Sequence, residues 1–464
     1  MGLIAAGVSL WLINWWAARP LFLDEANVAR NLYDRSFAGL FLPLDHRQYA
    51  PPLYLVLAKV CGELFGYGER SLRLPALLGG LMSVVGLIWA RRELKLGWWG
   101  LLPLVLLFVN PYVLRYVTEV KPYGLDLGLA ATFLAWAASN PKPDWKIGLA
   151  GAVGLWVSLP LVFVLAAVGL HKVVNLMWRP ARHTAPPTGL SDPSSTLISW
   201  LLCGGGWLVS FGILYWLVLD PAVGSAYLRN YHSDYYFPLP GMMQFGTVSD
   251  LVFTILRIPF GHTVLAGVIG LLTMILAVYY RRGRWLLLPA ALVLVASSFR
   301  FYSLMPRLLL FTLPGWWLAA AIISRQTDSS AVFRWTLLLL WVIVSGGTNV
   351  AKHFAWPVQT SDSRRLVREI EPGYTPVLHH GAVPAYDYYH RIHPGGSGLP
   401  YPAEERRFGD LTDPERVVLL YDVLTQGNIR GSMTRDSTQA AVLGGCGVRK
   451  VEFYRAAAVY VDCP

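Results

Sequence analysis

The run Ser71-Leu-Arg73-Leu-Pro75-Ala-Leu-Leu-Gly-Gly80-Leu-Met-Ser-Val-Val85-Gly-Leu-Ile-Trp-Ala90, closed by Arg91-Arg92, decides the fold class. One bilayer crossing needs about 20 mostly apolar residues, and this run supplies them. Working outward, comparable runs lie at 2–18, 97–114, 122–139, 145–159, 160–177, 197–219, 262–280, 285–299, 306–323 and 334–350. With 71–90 they make about eleven candidate transmembrane helices. Pro160 either divides the 145–177 region into two short helices or kinks one long one. Residues 1–18 lack a basic start, and Trp15-Trp16 is a poor cleavage context, so they read as a retained first helix.

Composition agrees. Of 464 residues, 55% are hydrophobic and 14% charged, and mean hydropathy is +0.44. A soluble domain carries about 25% charged residues. Disordered chains, fibrous repeats and almost all soluble enzymes of this length are excluded. The net charge of +11 raises the question of nucleic acid, but no nucleic-acid motif accompanies it. The basic residues instead sit in short turns between apolar runs. Arg91, Arg92, Lys95, Lys142, Lys146, Lys172, Arg179, Arg182, Arg281, Arg282, Arg284, Arg325 and Arg334 fall on one side, against only Glu93, Asp144, Asp192 and Asp328. The positive-inside rule makes that side cytoplasmic. Residues 19–70, 115–121, 220–261, 300–305 and everything after 350 then lie outside. Nineteen Trp and 23 Tyr suit aromatic belts at the two interfaces. The Pro/Ser/Thr-rich segment 178–196 reads as a flexible cytoplasmic loop.

The expected organisation is a transmembrane part, 1–350, with a first outer loop at 19–70, and an extracytoplasmic α/β domain at 351–464. In the latter, Thr375–Leu378, Arg416–Tyr421, Val448–Phe453 and Ala457–Val461 read as strands, and Val383–His390 and Met433–Leu443 as helices. The fold class is therefore an all-α polytopic membrane protein with a small C-terminal α/β part. Cys61 and Cys203 sit in apolar stretches as packing residues. Cys446 and Cys463 flank the last two strands, and a hairpin there would bring them together as a disulfide.

The polar residues of the outer side are the candidates for chemistry. Asp24 and Glu25 stand together just after the first span, as either a helix start or a general base held at the membrane surface. Tyr116-Val-Thr-Glu119-Val-Lys121-Pro122-Tyr123-Gly-Leu-Asp126 follows the third span. Glu119 and Lys121 read as alternating in an extended segment before Pro122, and Asp126 lies about one turn into the next span, where an acidic group is costly. The stretch 52–65 is too short to span and is expected to lie in the interface.

Several of these motifs together resemble a family. Asp24-Glu25 after the first helix, Gln48-Tyr-Ala-Pro-Pro-Leu-Tyr54, Phe65-Gly…Glu69…Leu72-Arg-Leu-Pro75, Glu119-Val-Lys-Pro-Tyr-Gly-Leu-Asp126 and Met305-Pro-Arg307-Leu-Leu-Leu-Phe-Thr-Leu-Pro314 are similar to motifs of the GT-C glycosyltransferases. More narrowly, they look like bacterial relatives of protein O-mannosyltransferases and lipid A aminoarabinose transferases, over roughly residues 1–350. Where the aminoarabinose-transferase branch carries Glu-Lys before Pro-Pro, this chain has Tyr49-Ala50.

The resemblance implies an inverting glycosyltransferase of the inner (plasma) membrane, moving a sugar from a polyprenyl-phosphate donor to an extracytoplasmic lipid, glycan or protein acceptor. On that pattern Asp24 matches the catalytic carboxylate, Glu119 and Lys121 the second-loop polar cluster, and Arg307 a cation near the donor phosphate. Charge building on a leaving phosphate needs fixed cations, and Lys121, Arg307, Arg300, Arg257 and His262 all fall at outer positions. Glu25 and Glu119 stand beside Asp24 as further acid–base candidates. Tyr49, Tyr54, Tyr123, Tyr231 and Tyr235 are the aromatic candidates for sugar or acceptor contact. No nucleotide or metal motif occurs, so no cofactor is expected, while a divalent cation bridging Asp24 and phosphate stays open. The competing readings are a transporter or lipid-linked glycan flippase, whose ionisable groups would gather near mid-membrane, and a structural or sensor protein.

Overall fold

The computed structural model describes residues 1–139, 143–177, 193–224, 226–238, 245–281, 283–326, 346, 361–396, 416–424, 427–443 and 445–463. It is mostly helical with one small sheet. In chain order the first helices are α1 (Gly2–Trp16), α2 (Leu23–Asp34), α3 (Pro52–Phe65), α4 (Glu69–Glu93), α5 (Leu102–Val109), α6 (Pro111–Tyr116) and α7 (Tyr123–Ala138).

Among the described residues, Glu69–Glu93, Thr196–Leu219 and Pro306–Gln326 are long and apolar enough to cross a membrane. Seven shorter apolar helices accompany them: Gly2–Trp16, Gly97–Val109, Tyr123–Ala138, Trp145–Val157, Leu161–Met177, Val264–Tyr279 and Arg284–Ser298. Leu201, Leu202, Leu208, Val209 and Trp216 point out of the Thr196–Leu219 helix and stay exposed. Apolar surface on that scale belongs against lipid, which makes the chain an integral membrane protein. The 145–177 region is two helices, Trp145–Val157 and Leu161–Met177, broken at Ser158-Leu159-Pro160. Proline cannot donate in a helix interior, and the Ser158 backbone there is extended. The expected span 334–350, apart from residue 346, and residues 178–192 of the expected loop 178–196 lie outside the described residues, as do Lys142, Arg179, Arg182, Asp192, Arg282, Asp328 and Arg334, while 193–196 are not loop but open the helix Pro193–Leu214.

The scaffold that positions the outer loops is the α4–α7 pair. A Cβ on Gly124 would sit 2.0 Å from the Ala76 carbonyl oxygen, and one on Gly79 would sit 2.3 Å from the Gly124 carbonyl carbon. The two backbones therefore touch, as small residues allow between membrane helices. This places Arg73, at the outer end of α4, close to the 117–122 turn that leads into α7.

The stretch 52–65, expected in the interface, is the helix α3. Tyr54, Leu55, Ala58 and Gly62 face inward, whereas Leu57, Val60 and Leu64 share the outer face and are exposed. Helical spacing of three and four residues produces that outer apolar stripe.

The sheet comprises β1 (Thr375–Leu378), β2 (Arg416–Tyr421), β3 (Gly447–Phe453) and β4 (Ala456–Asp462), in the order β1-β2-β4-β3. β1 and β2 are parallel, and the other pairs are antiparallel. β2 and β4 are almost wholly buried, which their unbroken apolar runs foretell. The edge strand β3 carries Arg449 and Lys450, charges that discourage edge-to-edge pairing. Helix Val383–Asp387 runs into a wider turn at Tyr388–Ile392, and the last helix begins at Gly427, six residues before its expected start at Met433. Cys446 and Cys463 are joined as a disulfide.

The C-terminal sheet does not own a separate core towards the membrane part. Leu21, Ala26, Val28, Leu32, Tyr54 and Leu55 form one buried cluster with Leu366, Tyr386, Tyr388, Tyr389, Leu420 and Tyr460. The outer loop 19–70 is thus sandwiched between α4–α7 and the C-terminal unit.

Candidate functional site

Asp24 and Glu25 open α2, and the same helix start gives them opposite environments. Glu25 is only 2% exposed. Its Oε1 accepts from Arg73 Nε at 3.0 Å and from the Val120 N–H at 2.8 Å. Its Oε2 accepts from Arg73 Nη2 at 2.9 Å and from the Phe22 N–H at 3.2 Å, which satisfies one unpaired donor at the helix start. Burial pushes the carboxyl upward, but Arg73, Arg19 and these hydrogen bonds outweigh it and hold it below the ordinary carboxylate value. A carboxylate with every acceptor site engaged has no room for a substrate proton. Glu25 is thus placed as the pin between α2, α4 and the 117–122 turn, and not where a reacting hydroxyl could reach it.

Asp24, one position earlier, points the other way. Its Oδ2 lies 3.6 Å from Arg307 Nη1, and the two side chains are 27% and 23% exposed. Arg307 comes from the 3-10 turn Pro306–Thr312 and also donates from Nη2 to the Tyr231 hydroxyl at 3.2 Å. Its Nε is buried and makes no hydrogen bond among the described residues. Lys121 donates from Nζ to Gln48 Oε1 at 3.0 Å. Burial draws the Lys121 ammonium below its ordinary pKa, opposed by the Asp24 charge and reinforced by Arg307. Tyr123 and Tyr116 meet edge to face at 5.1 Å beside this group, Tyr123 close enough to feel both Asp24 and Arg307.

The segment before Pro122 is a tight turn, not the extended segment expected: the Lys121 N–H donates to the Glu119 carbonyl at 2.8 Å. Glu119 pairs with Arg115 at 2.9 Å and lies 3.9 Å from Arg19. It is buried, so ion pairing and not proton transfer is the role its surroundings suit.

The five expected cations separate. Lys121 and Arg307 join Asp24. Arg257 lies over the Phe253 ring, its centroid 5.9 Å away, and acts on Tyr112. His262 Nδ1 is 3.1 Å from the same Tyr112 hydroxyl. Arg300 is exposed, at a positive φ, beside Tyr236. Of the tyrosines, Tyr231 and Tyr123 line the Asp24 group. Tyr54 is 0% exposed inside the α2–α3 cluster, which closes it to a sugar in this arrangement. Tyr49 is half-buried, with its hydroxyl in the interior. Tyr235 is half-buried, and its carbonyl accepts from the Leu304 N–H at 2.8 Å.

Arg73 is the residue that sequence reasoning underrated. The sequence places it in the span 71–90 and in the Leu72-Arg-Leu-Pro75 motif, with no role attached. Gln48, Arg19 and Tyr116 are further members that no spacing connects. No group of three or more His, Cys, Asp or Glu side chains suited to a metal occurs among the described residues.

No family model matches the chain. A stretch of 129 residues, 24% of this chain, is 22% identical to a protoheme IX farnesyltransferase of Herminiimonas arsenicoxydans and spans 44% of that protein, under half its length. In three dimensions the chain is similar to ArnT from Cupriavidus metallidurans bound to undecaprenyl phosphate, at 15% identity and a TM-score of 0.49, covering 99% of this chain and 98% of that one. The apo form of the same protein gives 16% identity and a TM-score of 0.37 with the same coverage. A likeness at this level carries no argument about chemistry, which rests on the site's own residues.

Proposed function

We propose that this chain is an integral-membrane glycosyltransferase that moves a sugar from a polyprenyl-phosphate donor to an extracytoplasmic acceptor, with inversion at the reacting carbon. One observation carries the reading: Asp24 faces Arg307 across 3.6 Å in a half-open setting, while its neighbour Glu25 is fully committed to Arg73. A carboxylate and a forked cation at that spacing can each serve one end of a substitution. The acceptor hydroxyl attacks the anomeric carbon as the bond from that carbon to the phosphate oxygen breaks. Asp24 takes the hydroxyl proton. The leaving phosphate keeps the electron pair, and Arg307 with Lys121 balances its charge. Donor phosphate would compete with Asp24 for Arg307, freeing the carboxylate when substrate arrives.

The short loops on the side opposite the Asp24 group are rich in Arg and Lys and poor in carboxylates, which supports an extracytoplasmic site in the inner membrane.

The test compares neighbours. With undecaprenyl-phosphate-linked mannose and aminoarabinose as donors in membranes, Asp24→Asn should lower turnover by about 100- to 10,000-fold. Its binding of undecaprenyl phosphate and its melting temperature should hold. Glu25→Gln should instead destabilise the protein by about 3–5 kcal/mol, because Arg73 is left as an uncompensated buried charge. Wild-type turnover in Asp24→Asn would refute the base assignment.

A further inference from the structure

Of the seven residues between α1 and Asp24, the five from Ala18 to Phe22 are held at almost every backbone polar group, and three of the holds come from the far end of the chain. Arg364 donates to the Ala18 carbonyl. Arg73 donates to the Arg19 carbonyl at 2.7 Å and to the Pro20 carbonyl at 3.4 Å. The Leu21 N–H donates to the Tyr389 hydroxyl at 2.8 Å, and the Leu21 carbonyl accepts from Ser363 at 3.2 Å. The Phe22 N–H goes to Glu25.

These holds meet at one carboxylate. Glu69, at the start of α4, accepts from Arg364 Nε at 3.0 Å and from the Tyr389 hydroxyl at 3.0 Å, and its other oxygen lies 2.9 Å from His393 Nε2. One helical turn on from Glu69 stands Arg73, the partner of Glu25. Both Tyr389 and Glu69 are buried, so their polar atoms have exchanged water for each other. Further along α2, Arg30 pairs with Asp387 at 2.5 Å and Asp34 with Arg391 at 2.6 Å.

We propose that the C-terminal unit sets the position of Asp24, with Tyr389 as a positioning residue whose hydroxyl bridges the Leu21 N–H and Glu69. The inference rests on the reading of Asp24 as the base. Asp24 sits two residues beyond the held segment, on the first turn of a helix whose start this bridge anchors. Arg307 and Lys121 come from other elements. Loosening the bridge therefore displaces the carboxylate from the hydroxyl it must deprotonate while leaving the phosphate cations in place. Misplacement by about 1 Å costs on the order of 100-fold in rate.

Tyr389→Phe removes only the hydroxyl. In the full-length protein, hydrogen exchange over residues 17–25 should quicken. Turnover of the same undecaprenyl-phosphate sugars should fall by about 10- to 100-fold, with donor KM held within about twofold. Combined with Asp24→Asn it should cost nothing more than Asp24→Asn alone, since both act on one proton transfer. Unchanged exchange, unchanged kcat, a rise in KM alone, or a fully additive double variant would each overturn the proposal. If Tyr389→Phe does not fold, Ser363→Ala removes the neighbouring hold on Leu21 and is read in the same way. Failure of the underlying function is distinguishable: Asp24→Asn would then turn over normally, whatever the exchange at residues 17–25 shows.

Discussion

At the scale of single residues, Asp24 and Glu25 show how one helix start separates two identical chemistries. The difference is not in the side chains but in what 95 residues of intervening chain bring back: the Val120 N–H on one side of Glu25 and Arg73 on the other. Position at the helix start does not separate the two carboxylates; the family motif points to Asp24, and long-range pairing shows why Glu25 is withheld. Lys121 offers a measurement of the same kind. Burial lowers its pKa, so its proton leaves at a pH below the ordinary lysine range. The charge is present on the acid side and lost as pH rises through the lowered value. Affinity for undecaprenyl phosphate should therefore weaken on the alkaline side earlier than an exposed lysine would allow. Lys121→Arg, charged throughout, should flatten that arm of the profile. An affinity that is level up to the ordinary lysine pKa in the native protein would remove Lys121 from the phosphate site.

At the scale of elements, ten of the eleven expected spans coincide with apolar helices, and the eleventh, apart from residue 346, lies outside the described residues. Hydropathy reads these because each helix satisfies its own backbone within its own sequence. The strands were legible for a related reason: β2 and β4 are buried on both faces, so their apolar runs are continuous. The 117–122 turn was not legible, because the restriction before Pro122 excludes helix without choosing between an extended segment and a turn. Helix pairing was equally hidden. Gly79 and Gly124 gain meaning only once α4 and α7 are known to touch. Gly124→Leu would drive a branched side chain into the Ala76 carbonyl, a backbone atom that cannot step aside. The expected cost exceeds the ~1–3 kcal/mol of ordinary overpacking. It should appear as a lower melting temperature together with lost turnover, because Arg73 and the 117–122 turn ride on these two helices. A Leu variant with native stability would show that the pair can separate freely.

At the scale of the whole molecule, the two ends of the chain build one outer layer. The sheet register explains how its last bond forms. Gly447 pairs with Asp462, which brings the preceding Cys446 and the following Cys463 side by side across the β3–β4 hairpin. Closing a loop of 17 residues stabilises by about 3 kcal/mol in the chain-entropy picture. Such a bond persists only in an oxidising compartment, so it is coupled to the proposed orientation: a C-terminal unit facing the cytoplasm would keep both thiols reduced. Because the unit shares its buried cluster with α2 and α3, loss of the bond should reach the outer loop as well. Alkylation of denatured, unreduced protein should modify Cys61 and Cys203 but neither Cys446 nor Cys463, and prior reduction should expose all four. Cys446→Ser with Cys463→Ser should lower the melting temperature and quicken hydrogen exchange in β3 and β4 first. Full alkylation of all four cysteines without reductant would refute the bond in the cell. It would also remove the oxidising environment from the support for an extracytoplasmic site, leaving the orientation to rest on the arginine-rich loops alone.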